Sequence, residues 1–248
     1  MKIIPFLIFL AGPLTLPASE CAFLSHPTII LQTSHQTELV WEEPATLLDS
    51  EVPASQTLNN YQNWVSSRTN LRGAELLKNY NKIISSEIKK METRNEQADF
   101  VESLKRNVRA TGQIISGEVG KIRPINCVEA LLFENLLGFS PQASQEFRGL
   151  VLKSSSDMIR IYFSFDRAGL DGGIATSEVF NKKIQSDLLQ GWKIHLDLHN
   201  HPFSFENPYG DIGGNIAPSG ADEKTYLFEK PEKAVITNGV DSAEFIRH

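Results

Sequence analysis

From Trp192 to Pro202 the chain reads Trp-Lys-Ile-His-Leu-Asp-Leu-His-Asn-His-Pro, an alternation of aliphatic and polar residues that fits an extended strand and no helix. Side chains two apart share one face of a strand. Ile194, Leu196 and Leu198 therefore line one side, and His195, Asp197, His199 and His201 the other. Pro202 has no amide hydrogen for a ladder and ends the strand where the chain can turn. Two imidazoles at i and i+2 can converge on one ion, so the end of this strand carries a pair of metal-capable nitrogens.

A third ligand is offered by Pro218-Ser219-Gly220-Ala221-Asp222, which opens a helix running through Tyr226 and Phe228. Ser219 suits a helix N-cap and Asp222 suits the positive end of the dipole, so capping alone accounts for both. Beside His199 and His201, however, Asp222 completes a three-ligand N/O set that leaves a fourth position for water, the open arrangement of a catalytic zinc. Asp211 is the competing carboxylate, and His195 and Asp197 are candidates to orient a ligand from behind.

His199-Asn200-His201-Pro202 followed by Pro218-Ser219-x-x-Asp222 resembles the metal motif of the JAMM (Jab/MPN) zinc metalloproteases. That family also carries a glutamate roughly fifty residues upstream, followed three residues later by glycine and then aliphatics. Glu146-Phe-Arg-Gly149-Leu-Val-Leu152 matches, 53 residues before His199. The resemblance implies Zn2+ on His199, His201 and Asp222, with Glu146 as the general base and Ser219 as hydrogen-bond donor to the developing oxyanion. Glu129, Glu134 and Glu178 compete for the base. The chemistry is coherent without the resemblance, because zinc acidifies water and polarises a carbonyl while a carboxylate ferries the proton to the leaving amine. The segment between Phe203 and Ala217 is longer than the family's usual gap and is a candidate loop over the site.

The resemblance covers Glu146 to the C-terminus. Around it, Phe147–Leu152 and Met158–Phe165 read as two strands joined by a turn, then Val179, Phe180, Ile184 and Leu188 as a helix closed by Gly191. Further strands are expected at Ala234–Ile236 and Phe245–Ile246. Val128, Leu131, Leu132 and Leu136 follow Pro124 at helical spacing, with Gly138 as a stop. Earlier, Leu71, Leu77, Tyr80, Ile84, Ile88 and Met91, and then Phe100, Leu104 and Val108 up to Gly112, form two amphipathic stripes that are packing faces. The expected fold class is α/β or α+β, a JAMM/MPN-like mixed sheet flanked by helices and preceded by a helical extension. Its divisions are a signal peptide over 1–22, a linker or irregular segment over 23–55, a helical region over 56–118 and the catalytic domain over 119–248.

The first residues, Met-Lys-Ile-Ile-Pro-Phe-Leu-Ile-Phe-Leu-Ala-Gly, have the charge and short apolar run of a secretory signal, too short for a membrane anchor. Cleavage after Ala18 or after Ala22 both fit, and a lipid-modified Cys21 is a weaker alternative. The protein is thus expected to be secreted or periplasmic with no transmembrane anchor. Removal of Cys21 would leave Cys127 as a lone buried thiol with no disulfide. A net charge of -6 argues against nucleic acid as a partner. Residues 68–109 carry ten Lys or Arg against six Asp or Glu, a solvated basic face. The leading function is an exported peptidase or isopeptidase acting on a peptide or protein, ubiquitin-like conjugates included. The alternatives are a non-catalytic MPN-like scaffold and a DNA-associated protein of the RadC type, which shares the motif; the letters His-Asn-His also occur, more widely spread, in HNH nucleases.

Overall fold

A computed structural model describes residues 21, 25–50, 55–94, 98–140, 145–166, 176–203 and 214–246. The segment expected to be a linker instead forms strands β1 (Thr28–Gln32) and β2 (Gln36–Pro44) and a 3-10 turn, Ala45–Asp49. Two glutamates hide β2 in the sequence, because Glu38 and Glu43 are buried within it. Each has its own partners. The Ser177 amide and hydroxyl donate to Glu38 at 2.5 Å, and the Ser25 amide and hydroxyl donate to Glu43 at 2.8 and 2.5 Å. Hydrogen-bonded acids can be buried where unpartnered ones cannot.

Helices α1 (Gln56–Arg68), α2 (Gly73–Thr93) and α3 (Ala98–Ile115) follow, α3 running through Gly112 rather than stopping there. Strand β3 (Lys121–Pro124) takes Pro124, which the sequence pattern places in the first turn of a helix. Helix α4 (Cys127–Phe139) starts three residues later, and Asn126 and Glu129 cap it reciprocally; it passes through Gly138 by one residue. The remainder matches the expected order: β4 (Phe147–Lys153), β5 (Met158–Asp166), α5 (Glu178–Leu189), β6 (Lys193–Asn200), α6 (Gly220–Glu229), β7 (Lys233–Thr237) and β8 (Asp241–Ile246). The fold is α+β, with one eight-stranded mixed sheet ordered β1-β2-β5-β4-β6-β7-β8-β3. Among its pairs, β6–β7 runs parallel and the others antiparallel.

The main core lies between this sheet and α1 and α4, where Leu58, Tyr61, Val65, Leu132, Phe133 and Leu136 meet Phe147, Phe163 and Leu198. The helices before residue 120 are thus partly inside the same core as the C-terminal strands. Tyr61 reinforces this by donating to the Asn238 carbonyl at 3.1 Å. By contrast α2 and α3 pack against each other around Tyr80, Ile84, Ile88, Val101 and Leu104. A side chain at Gly149 would meet Leu132 Cδ1 at 2.3 Å, so the glycine of the Glu-x-x-Gly pattern is needed for α4 to lie close on β4. Cys127 is buried as expected but is not a lone thiol: it is disulfide-bonded to Cys21 across 106 residues.

Candidate metal centre

Parallel strands β6 and β7 are joined through α6, which brings the start of that helix to the carboxyl end of β6. This is the crevice in which α/β units generally hold ligands. His199 is at the end of the β6 ladder, His201 lies just past it, and Asp222 sits in the first turn of α6. The His201 amide donates to the Thr237 carbonyl at 2.9 Å, so β7 carries the chain one residue beyond the strand to its second imidazole.

His199, His201 and Asp222 offer three ligand atoms within 4.8 Å of one another, a group that can hold a metal ion. The separations are 3.1 Å between the two Nε2 atoms, 3.3 Å from His199 Nε2 to Asp222 Oδ1, and 3.5 Å from His201 Nε2 to Asp222 Oδ2. The two imidazoles approach different oxygens of Asp222, so the three side chains surround one point from three sides, as a small cation requires. The donors are also chemically consistent: two imidazole nitrogens and one carboxylate.

Each ligand is oriented from behind. The His201 Nδ1–H donates to the Asn215 carbonyl at 2.7 Å, which turns the Nε2 lone pair inward. His199 Nδ1 faces the Tyr226 hydroxyl at 3.4 Å, from the same helix as Asp222. Asp222 Oδ2 accepts from the Ser219 amide at 2.7 Å while the Asp222 amide donates to Ser219 Oγ at 3.3 Å, so the capping role expected of this pair coexists with the metal geometry. Burial pushes the Asp222 carboxyl up, but the hydrogen bonds and charges of the two imidazoles outweigh it and hold the group well below the carboxylate range. His201 is the mirror case. Burial lowers its pKa, and the hydrogen bond and charge of Asp222, followed by the charge of Glu146, raise it above the ordinary imidazole value. The metal-free cluster therefore favours a proton where a cation would sit, and metal binding must displace it.

Glu146 lies just before β4. The β4–β6 pairing ends at Arg148 and His199, two residues after Glu146 and two before His201, and the charge of Glu146 acts on His201. Of its rivals, Glu129 is bound by Arg123 at 2.9 and 2.5 Å and by the Ser242 hydroxyl at 2.9 Å, while Glu178 pairs with Lys182 on an exposed face. Glu134 is a half-buried residue of α4. His195 is also drawn away, its Nδ1 lying 2.6 Å from Glu232 Oε2.

Asp197 does adjoin the site. Buried beneath His199, it faces Arg148 at 3.8 Å, and Arg148 also holds Glu229 on α6. Burial pushes the Asp197 carboxyl up, Arg148 opposes it, and the result is about 6. Tyr226 is raised well above its ordinary value by burial and then by the charges of Asp197 and Asp222, so it stays a neutral phenol.

No family model matches the chain, and neither the curated proteins nor the solved structures compared with it give a match. The reading of the site thus rests on its own geometry. The base of the long segment after the histidines is closed, since the Gly214 amide donates to the Pro202 carbonyl at 2.9 Å. Gly214 has φ of +77° with the Phe203 ring against it, a place where a side chain would be strained. Tyr209, Asp211 and Gly213, which belong to the expected loop over the site and include the competing carboxylate, lie outside the described residues. A groove of about 980 Å³ opens elsewhere, lined by Leu58, Arg123, Lys153, Leu196 and Lys233 among others but by none of the three ligands or Glu146. Its cations are engaged: Arg123 with Glu129 and Glu244, Lys233 with Glu244, and Lys153 with Asp157.

What sequence reasoning misses here are Tyr226, Asn215 and Asn200. Only Tyr226, four residues after Asp222 and hence on the same helix face, leaves a readable signal.

Proposed function

We propose that the protein is a zinc-dependent hydrolase of peptide or isopeptide bonds, with His199, His201 and Asp222 as ligands, Glu146 as general base and Ser219 as oxyanion donor. The observation that carries this reading is the convergence of ligand atoms of His199, His201 and Asp222 within 4.8 Å of one another, with Glu146 near enough for its charge to act on His201. A bound zinc ion supplies a Lewis acid that polarises the scissile carbonyl and acidifies water. Glu146 takes the proton of the attacking water and delivers it to the leaving amine. Ser219, at the N-cap of α6, donates its hydroxyl to the oxygen that gains charge, assisted by the positive end of the helix dipole. The Asn215 carbonyl holds His201 in the tautomer with Nε2 free, and the Tyr226 hydroxyl backs His199 at Nδ1. The similarity of the two motifs to the JAMM metalloproteases supports the same chemistry, and a peptide or protein tail, ubiquitin-like conjugates included, is the substrate class that follows. The Cys21–Cys127 disulfide supports maturation in an oxidising compartment after export.

Elemental mass spectrometry on the oxidised protein tests the metal. About one zinc per chain is expected, with loss of the metal in Asp222→Ala. Protein that takes up no zinc after reconstitution would end the reading. With metal established, cleavage of a peptide library is expected to fall by about a hundredfold or more in Glu146→Gln at unchanged zinc content.

A further inference from the structure

Asn200, between the two histidines, is fully buried, and its side chain is spent on the backbone on either side of Glu146 rather than on the histidines. Its Oδ1 accepts from the Phe147 amide at 2.7 Å, and its Nδ2 donates to the Gln145 carbonyl at 3.0 Å. The two bonded backbone groups flank Glu146 on either side. The regular β4–β6 pairing ends at Arg148 and His199, and immediately beyond it the amide of Asn200 takes the place of a peptide group in the ladder. Meanwhile the Asn200 backbone is paired with Thr237 on β7. Without Asn200, the buried Phe147 amide would have to find another partner or the chain before β4 would have to move away.

We propose that Asn200 is a positioning residue that locks Glu146 to the strand carrying both imidazole ligands. This rests on the proposed role of Glu146. Few other side chains could serve here, because asparagine offers one acceptor and one donor at the reach of a peptide unit, aspartate lacks the donor, and serine or threonine cannot span both groups. One short chain segment, 199 to 201, thereby fixes two ligands directly and the base through its middle residue, so ligands and base keep their spacing when the sheet flexes.

The test uses the Co2+-loaded protein and acetohydroxamate, a chelator whose acidic proton passes to a neighbouring carboxylate, with affinity read from the visible cobalt spectrum. Glu146→Gln is expected to weaken acetohydroxamate by about tenfold at unchanged cobalt stoichiometry. Asn200→Ala is expected to weaken it comparably, with little further loss in the double variant, because both changes remove the same interaction. Hydrogen exchange at the Phe147 amide should accelerate in Asn200→Ala while the β6 amides stay protected. Asn200→Thr, which keeps bulk and can make one of the two bonds, is read in the same way and decides the matter if the alanine variant does not fold. A full effect of Glu146→Gln with none from Asn200 substitution overturns the clamp and leaves the proposed function standing. Cobalt binding with no effect of Glu146→Gln removes the base assignment and the clamp together, and absence of cobalt binding removes the metal reading as well.

Discussion

Helices α4 and α6 begin in the same way and end up doing different work. In each, a polar N-cap is followed three residues later by an acid that bonds back to the cap's amide: Asn126 with Glu129, and Ser219 with Asp222. Locally the two are equivalent. The difference lies in what the sheet presents to each carboxylate. Glu129 meets Arg123 and Ser242, a permanent cation and a hydroxyl, and is satisfied. Asp222 meets two imidazoles whose inward nitrogens are acceptors unless a proton or a metal lies among them. A capping motif in sequence thus announces a helix start, and tertiary partners decide whether its acid is structural or available for chemistry.

Breaking the α4 side should cost the most. Glu129→Ala leaves Arg123 half-buried with only Glu244 as an ion partner among the described residues and removes the cap, so unfolding free energy should fall by about 3–5 kcal/mol. The folded variant should still bind zinc with normal stoichiometry, read by urea denaturation beside metal analysis. Loss of metal in folded Glu129→Ala would erase the distinction between the two helix starts. A second, smaller effect concerns the same helix, which begins at Cys127. Cys127→Ser, or reduction of the wild type, should lower stability by about 2–4 kcal/mol, since the bond closes a loop of more than a hundred residues in the unfolded chain. An unchanged urea midpoint on reduction would show that the bond does not form.

The smallest effect sharpens the α6 side. Asp197, beneath His199, has its carboxyl raised from 3.8 to about 6 by burial, against the opposing charge of Arg148. A raised folded-state value means that its contribution is fully present below pH 3.8 and is lost as pH climbs through 6. In metal-free protein, Asp197→Asn should therefore come close to the wild type near pH 4 and exceed it at pH 7, as urea denaturation at the two pH values would show. Equal stability at both pH values would mean that Arg148 fully compensates the buried charge.

The parts of this arrangement that are legible in the sequence each carry a local signal. Strand β6 shows it in the alternation that holds its histidines at i and i+2, α5 in its helical spacing, α6 in the cap that puts Asp222 in its first turn, and β4 and β5, buried on both faces, in their runs of aliphatic and aromatic residues. Strand β2 is illegible because Glu38 and Glu43 are buried on partners far away in sequence. Strand β3 has four residues, too few for a period, and its pairing with β8 exists only in three dimensions. The disulfide escapes notice for a different reason, because Cys21 falls within the stretch, 1–22, that reads as a removable leader. Asn200 cannot be assigned from sequence at all: its partners at 145 and 147 depend on the β4–β6 register.

The bond between Cys21 and Cys127 also makes a ring. Everything from β1 through α3 and β3 lies on the covalent circuit that it closes. A protease that cuts once anywhere on that circuit opens the ring without dividing the molecule, and the two new ends remain joined through sulfur. Scission would become visible only on a reducing gel, so in an oxidising milieu a nicked molecule would still migrate and diffuse as one piece.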